Sequence, residues 1–147
     1  MNNPVLSMAL HARACGASPI PIRGDGSKRA RLHSWQRSQR TIASDEDIRR
    51  WYQVPGEAGV AIVCGAVSGG LECIDCDDRE AYGEWREACV GAGLAELVER
   101  IERGYLERTP RGMHVLYRVI GETVPGNAKL AHGCTVDGDG GTTVTAR

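Results

Sequence analysis

Asp75 and Asp77 stand two residues apart at the end of the apolar run Leu71-Glu72-Cys73-Ile74. On a strand, residues i and i+2 face the same side, so this spacing predicts two carboxylates projecting together from a strand end. Adjacent carboxylates repel each other, and taking them out of water is costly without a cation. Such a pair suits a hard divalent ion such as Mg²⁺, which takes a few carboxylates and leaves positions for phosphate oxygens. The plain alternative is a solvated strand end that runs into the acidic first turn of a helix, with Asp78 as its N-cap.

Other segments carry groups of the kind that bind phosphate. Thr109-Pro110-Arg111-Gly112-Met113-His114 reads as a turn between two strands, presenting Arg and His beside Gly. On this segment alone an ordinary hairpin turn is the favoured reading. From Arg23 to Arg40 the bases Arg23, Lys28, Arg29, Arg31, Arg37 and Arg40 face the single acid Asp25. Trp35 lies among them, where it can stack on a base while the cations hold phosphates, or pin the loop as a buried anchor. Gly65 to Gly70 lacks the helix that a phosphate loop needs directly after its glycines, and reads as a plain turn. Cys73-Ile74-Asp75-Cys76 has metal-knuckle spacing. It lies inside a predicted strand, however, and its nearest second pair, His132 and Cys134, is poorly spaced, so zinc is disfavoured.

The elements that must hold these groups follow from pattern. Asn3-Pro4 opens a capped helix whose Val5, Met8, Ala9 and Ala12 share a face, ending near Gly16. Pro19-Ile20-Pro21-Ile22 reads as an extended segment that its prolines confine to an edge. Ser44 caps a short helix through Tyr52, with acids in its first turn. Gly59 to Cys64 and Leu71 to Asp75 read as two strands joined in a β-hairpin by the Gly-rich turn. Arg79 to about Arg103 is helical and broken at Gly91 and Gly93, with Tyr82, Trp85, Ala88 and Cys89 on one face and Leu94, Leu97, Val98 and Ile101 on another. Strands come next at Leu106 to Thr109 and Val115 to Ile120, then turn material from Val136 to Gly141 and a weak strand from Thr142 to Thr145.

The 147 residues read as one domain, 1–147, with strands and helices mixed in an α+β pattern. Net charge is −1 and the isoelectric point about 6.4, so any nucleic-acid contact must be local rather than global. No apolar run approaches a membrane span and no signal peptide is recognisable, which predicts a cytoplasmic protein with six reduced thiols.

In their order and spacing, these segments resemble the N-terminal catalytic domain of the bifunctional DNA primase/polymerase family, archaeo-eukaryotic-type primases carried by plasmids, phages and integrated elements. The resemblance rests on Gly16-Ala17-Ser18-Pro19-Ile20-Pro21-Ile22, Gly26-Ser27-Lys28, Ser34-Trp35-Gln36 and Arg50-Trp51-Tyr52. It continues through Gly59 to Gly65, Ser68 to Asp77, Thr109 to His114 and Gly126 to Ala131. It implies an α+β fold with an RNA-recognition-motif-like primase core, an antiparallel or mixed sheet flanked by helices. It implies Asp75 and Asp77 as ligands of catalytic Mg²⁺ or Mn²⁺ and His114 as a contact to the incoming nucleotide's phosphates. Arg111 and Lys28 are further nucleotide-binding candidates, and Arg29, Arg31 and Trp35 are candidates for DNA. A third acid belongs on a late strand before a Gly-Gly turn. Thr135 stands at that position, and Asp137 reaches it through a two-residue register slip that keeps strand parity.

The resemblance implies nucleotidyl transfer from a (d)NTP on a single-stranded DNA template, in plasmid- or phage-type replication, with a helicase module as a possible partner. A nucleotide- or single-strand-binding relative without catalysis, shortened at its C-terminal end, is the alternative that Thr135 favours. A metal-dependent nuclease or phosphohydrolase using the same carboxylates ranks below both.

Overall fold

A computed structural model describes residues 3–53, 57–124, 126, 133–136 and 142–145. Asn3 accepts from the backbone N–H groups of Val5 and Leu6 and opens α1 (Pro4–Ala14), with Pro4 in the first turn. The extended segment Ser18–Arg23 forms β1. Ser44 caps α2 (Asp45–Tyr52), its hydroxyl accepting from the Asp47 N–H at 3.1 Å. Strand β2 (Glu57–Val63) pairs antiparallel with β1, Ile20 opposite Ala61. Pro19 and Pro21 tolerate this pairing because a two-stranded sheet has only edges, and their missing donors face away from the partner. The helices close over this ribbon. Ala9, Ile48 and Tyr52 form a buried cluster, with Val5, Leu6, Leu10, Trp51 and Val60 packed around it. Met8 is not on that face. It is 63% exposed, because the stripe that meets α2 runs through Val5, Leu6, Ala9 and Leu10.

The predicted hairpin between Gly59–Cys64 and Leu71–Asp75 does not form. Strand β2 takes β1 as its partner, and only a single bridge, Gly65 to Leu71, connects the two segments expected to pair. Gly65 has φ +92°, and a 3-10 turn over Ala66–Ser68 swings the chain into a second sheet. Ser68, fully buried, fixes the corner: its hydroxyl accepts from the Ser18 N–H at 2.8 Å and donates to the Val63 carbonyl.

The second sheet has the order β3-β5-β4, all neighbours antiparallel, from β3 (Leu71–Cys76), β4 (Tyr105–Arg108) and β5 (Met113–Arg118). Strands β3 and β4 therefore run parallel, joined by α3 (Arg79–Gly91) and α4 (Ala95–Glu102), with β5 inserted between them. This split β-α-β arrangement is the ordering expected of an RNA-recognition-motif-like core. Val115 and Val98 are fully buried where α4 meets β5. Leu94 and Leu97, expected on the inner face, are 44% and 39% exposed, so Val98 carries the α4 contact. The side chain of Glu102 clasps the two helices, accepting from Tyr82 Oη and from Arg86 Nε at 3.1 Å.

Arg118 ties the two halves together. One guanidinium nitrogen donates to the carbonyls of Ser68 and Gly69, the other to the Cys15 carbonyl at the end of α1, 2.7 Å away. A last hairpin pairs β6 (Gly133–Val136) with β7 (Thr142–Thr145), and only its second strand is marked by the sequence pattern. Among the described residues no helix is long and apolar enough to cross a membrane.

Candidate active site on the open sheet face

Strand parity sorts the second sheet into two faces. Ile74, Cys76 and Val115 point toward the helices. Asp75 points the other way, and its register partners bring a continuous row across three strands: Asp75 opposite His114, and His114 opposite Glu107. The side chains meet. His114 Nε2 lies 3.3 Å from Asp75 Oδ1, and His114 Nδ1 lies 3.0 Å from Glu107 Oε2. His114 thus sits on β5 itself, one residue inside the strand, and not in the turn the sequence suggested.

Asp77 lies one residue past the end of β3, exposed, with no hydrogen bond or ion pair among the described residues. Asp78 caps α3, accepting from the Ala81 N–H at 2.7 Å. The plain reading of this acidic stretch therefore accounts for Asp78 and leaves Asp75 and Asp77 unexplained by capping. The three carboxylates together make the strand end negative. The buried Cys76 thiol registers it: burial first, then Asp75, Asp78 and Asp77, push its pKa up.

The turn carrying Arg111 is pressed against this strand end. Thr109 closes it, its N–H donating to the Gly112 carbonyl at 3.0 Å and its hydroxyl accepting from the Gly112 N–H at 2.8 Å. A Cβ at Gly112 would stand 1.8 Å from the Cys76 carbonyl oxygen and 2.8 Å from the Asp77 carbonyl carbon. Only glycine permits that approach. Arg111, the next residue back, is exposed and has no partner among the described residues. The backbone of the Arg111 turn is thereby held against the strand end that carries Asp75 and Asp77.

Asp75 and Asp77 supply hard oxygen donors at an open position, which fits Mg²⁺ or Mn²⁺. Among the described residues there is no group of three or more His, Cys, Asp and Glu side chains arranged to hold a metal. Asp137, the third candidate ligand, lies outside the described residues. Thr135 is in β6, opposite Thr143. Cys73 and Cys76 fall on opposite faces of β3, as an odd spacing on a strand requires, so they do not form one knuckle. Desolvation, then Cys64, Asp75 and Glu107, push the Cys73 thiol up to about 12, which keeps it a poor thiolate ligand.

The basic segment is solvent-facing. Lys28, Arg29, Arg31 and Trp35 are all exposed, and Lys28 takes a left-handed φ of 57° in the turn after Gly26. Trp35 is 41% exposed, so it is not the buried anchor that the simpler reading required. Neither hydrogen bond nor ion pair among the described residues links Lys28, Arg29 or Trp35 to the Asp75–His114–Glu107 row. Glu107 was missed from sequence. Its only signal was the alternation in Tyr105-Leu106-Glu107-Arg108, and its partner could not be read without the register of β4 on β5.

Comparison with curated proteins and with solved structures returns no match. The family model for the bifunctional DNA primase/polymerase N-terminal domain matches residues 9–146, nearly the whole chain. That span contains all three sheets of the described residues, the carboxylate-bearing strand end and the glycine turn that carries Arg111. The chain belongs to the bifunctional DNA primase/polymerase N-terminal family.

Proposed function

We propose that this primase/polymerase-type domain performs metal-dependent nucleotidyl transfer on the open face of the β3-β5-β4 sheet, from a (d)NTP onto a primer or first nucleotide on single-stranded DNA. The observation that carries the reading is the pairing of Asp75 with His114 across β3 and β5, beside the unpaired Asp77. In the reaction a 3′-hydroxyl oxygen bonds to the α-phosphorus, the bond to the bridging oxygen breaks, pyrophosphate leaves and the hydroxyl proton passes to solvent. Asp75 and Asp77 would hold the divalent ions, which would lower the pKa of the attacking hydroxyl and neutralise charge on the phosphates. His114 offers a ring N–H to a phosphate oxygen at the site edge, and Arg111 adds a fixed positive charge on a turn that Gly112 locks in place. The exposed Arg29, Arg31 and Lys28 take template or nucleotide phosphates, and Trp35 provides a ring for stacking.

A template-directed incorporation assay with Mg²⁺ or Mn²⁺ tests this reading. The wild-type chain extends or initiates strands, and Asp75→Asn and Asp77→Asn abolish synthesis while melting as the wild type does. Full activity in both variants contradicts it. A second reading, a binding relative without catalysis, draws on Thr135 in β6, where the family resemblance expects the third acid. Nucleotide and single-strand binding without any synthesis would select that one.

A further inference from the structure

We infer that Glu107 is the positioning residue for His114, holding the imidazole in place when Asp75 is engaged elsewhere; the inference rests on the proposed nucleotidyl-transfer reading. His114 is held from both sides, by Asp75 at Nε2 and by Glu107 at Nδ1. The two contacts are not equivalent in use. Asp75 is a candidate metal ligand, and a carboxylate oriented on a cation is drawn away from a neighbouring ring nitrogen. Were Asp75 the sole partner, the ring would lose its anchor in the state that must bind nucleotide.

Glu107 supplies the second anchor from the far side. It is directly opposite His114 in the β4-β5 register, and its Oε2 makes the shorter contact, 3.0 Å against 3.3 Å. Carboxylate oxygens accept, so the Glu107 contact takes an N–H at Nδ1 and the Asp75 contact an N–H at Nε2, which a phosphate oxygen can take over when Asp75 turns to a cation. The Arg111 turn packs on the backbone at Cys76 and Asp77, at the same end of β3, where the proposed reading expects phosphates. All of β4, Tyr105 to Arg108, is exposed. Its packing therefore does little to explain Glu107, whereas the contact with His114 does. A carboxylate that orients a working histidine through its other nitrogen is the arrangement that fixes ring direction at many histidine sites.

Three measurements on the full chain test the inference. Nucleotide titrations of Glu107→Ala should show about a 10-fold rise in nucleotide KM or Kd, with kcat changed less. Glu107→Gln keeps an acceptor oxygen in place and should stay within about 3-fold of wild type. In a His114→Ala background, Glu107→Ala should have no further effect, an outcome that a role in general stability would not give. Independently of nucleotide, the ¹⁵N signals of the His114 ring should move in Glu107→Ala. Unchanged nucleotide affinity, an equal loss with and without His114, or unmoved ring signals would each overturn the inference. A wild-type chain that binds no nucleotide would instead overturn the functional reading, and the ring signals would still report on Glu107.

Discussion

In the half built from α1, β1, α2 and β2, polar groups are taken inside and satisfied there. Ser18 and Ser68 are fully buried, and the Ser18 hydroxyl donates to the Ser38 carbonyl at 2.9 Å. Tyr52 is buried too, donating to the Gly59 carbonyl at 3.2 Å, and burial pushes its phenol up to about 12. In the half built from β3, α3, α4, β4 and β5, one sheet face stays open. Its polar groups pair across strands at the surface, Asp75 with His114 with Glu107. The first half spends its polar groups on fixing chain geometry. The second keeps ionisable groups reachable by a charged ligand while a buried Val115 holds the strand beneath them. Substitutions in the two halves should therefore fail differently: lost activity without lost stability on the open face, lost stability in the closed half.

The largest effect should come from the open face. Asp75→Asn should lower synthesis about 1,000-fold, or about 4 kcal/mol in transition-state terms, with an unchanged denaturation midpoint. A matching drop in stability would erase the contrast between the halves. Gly112→Ala sits at the seam of site and fold. Its methyl would collide with backbone at Cys76 and Asp77, so urea melts should show a loss of about 3 kcal/mol together with lost activity. Ser68→Ala should destabilise by about 2 kcal/mol, because the buried Ser18 N–H and Val63 carbonyl each lose a partner. Where the mutant stays folded, its nucleotide affinity should be that of the wild type. The smallest effect belongs to the basic surface. Trp35→Ala should weaken single-strand binding by about 1 kcal/mol, roughly 5-fold, without changing the melt.

What could be read from sequence was local. The caps at Asn3, Ser44 and Asp78 depend on neighbours two or three residues away, and each formed as read. Strand parity put Asp75 on one face because side chains alternate along any strand. What escaped depends on distant pairing. The hairpin expected between the second and third strands failed because β1, some forty residues upstream, competes for β2 and is locked there by Ser68 on Ser18. Glu107 became a site residue only through the β4-β5 register. The closeness of Gly112 to Cys76 is likewise invisible in a turn sequence that reads the same against solvent. The family match adds a primase/polymerase-type function for the chain as a whole, while the pairing of Asp75 with His114 and Glu107 comes from the strand register.

The central claim is that the open face around Asp75 is where cation and nucleotide meet. Paramagnetic broadening of backbone amide signals by Mn²⁺, with and without a nucleoside triphosphate, reports this directly. The account predicts broadening strongest at Asp75–Asp78 and Arg111–His114, strengthened by nucleotide and lost in an Asp75→Asn, Asp77→Asn double variant. Broadening centred elsewhere in the chain, or surviving in that double variant, would contradict it.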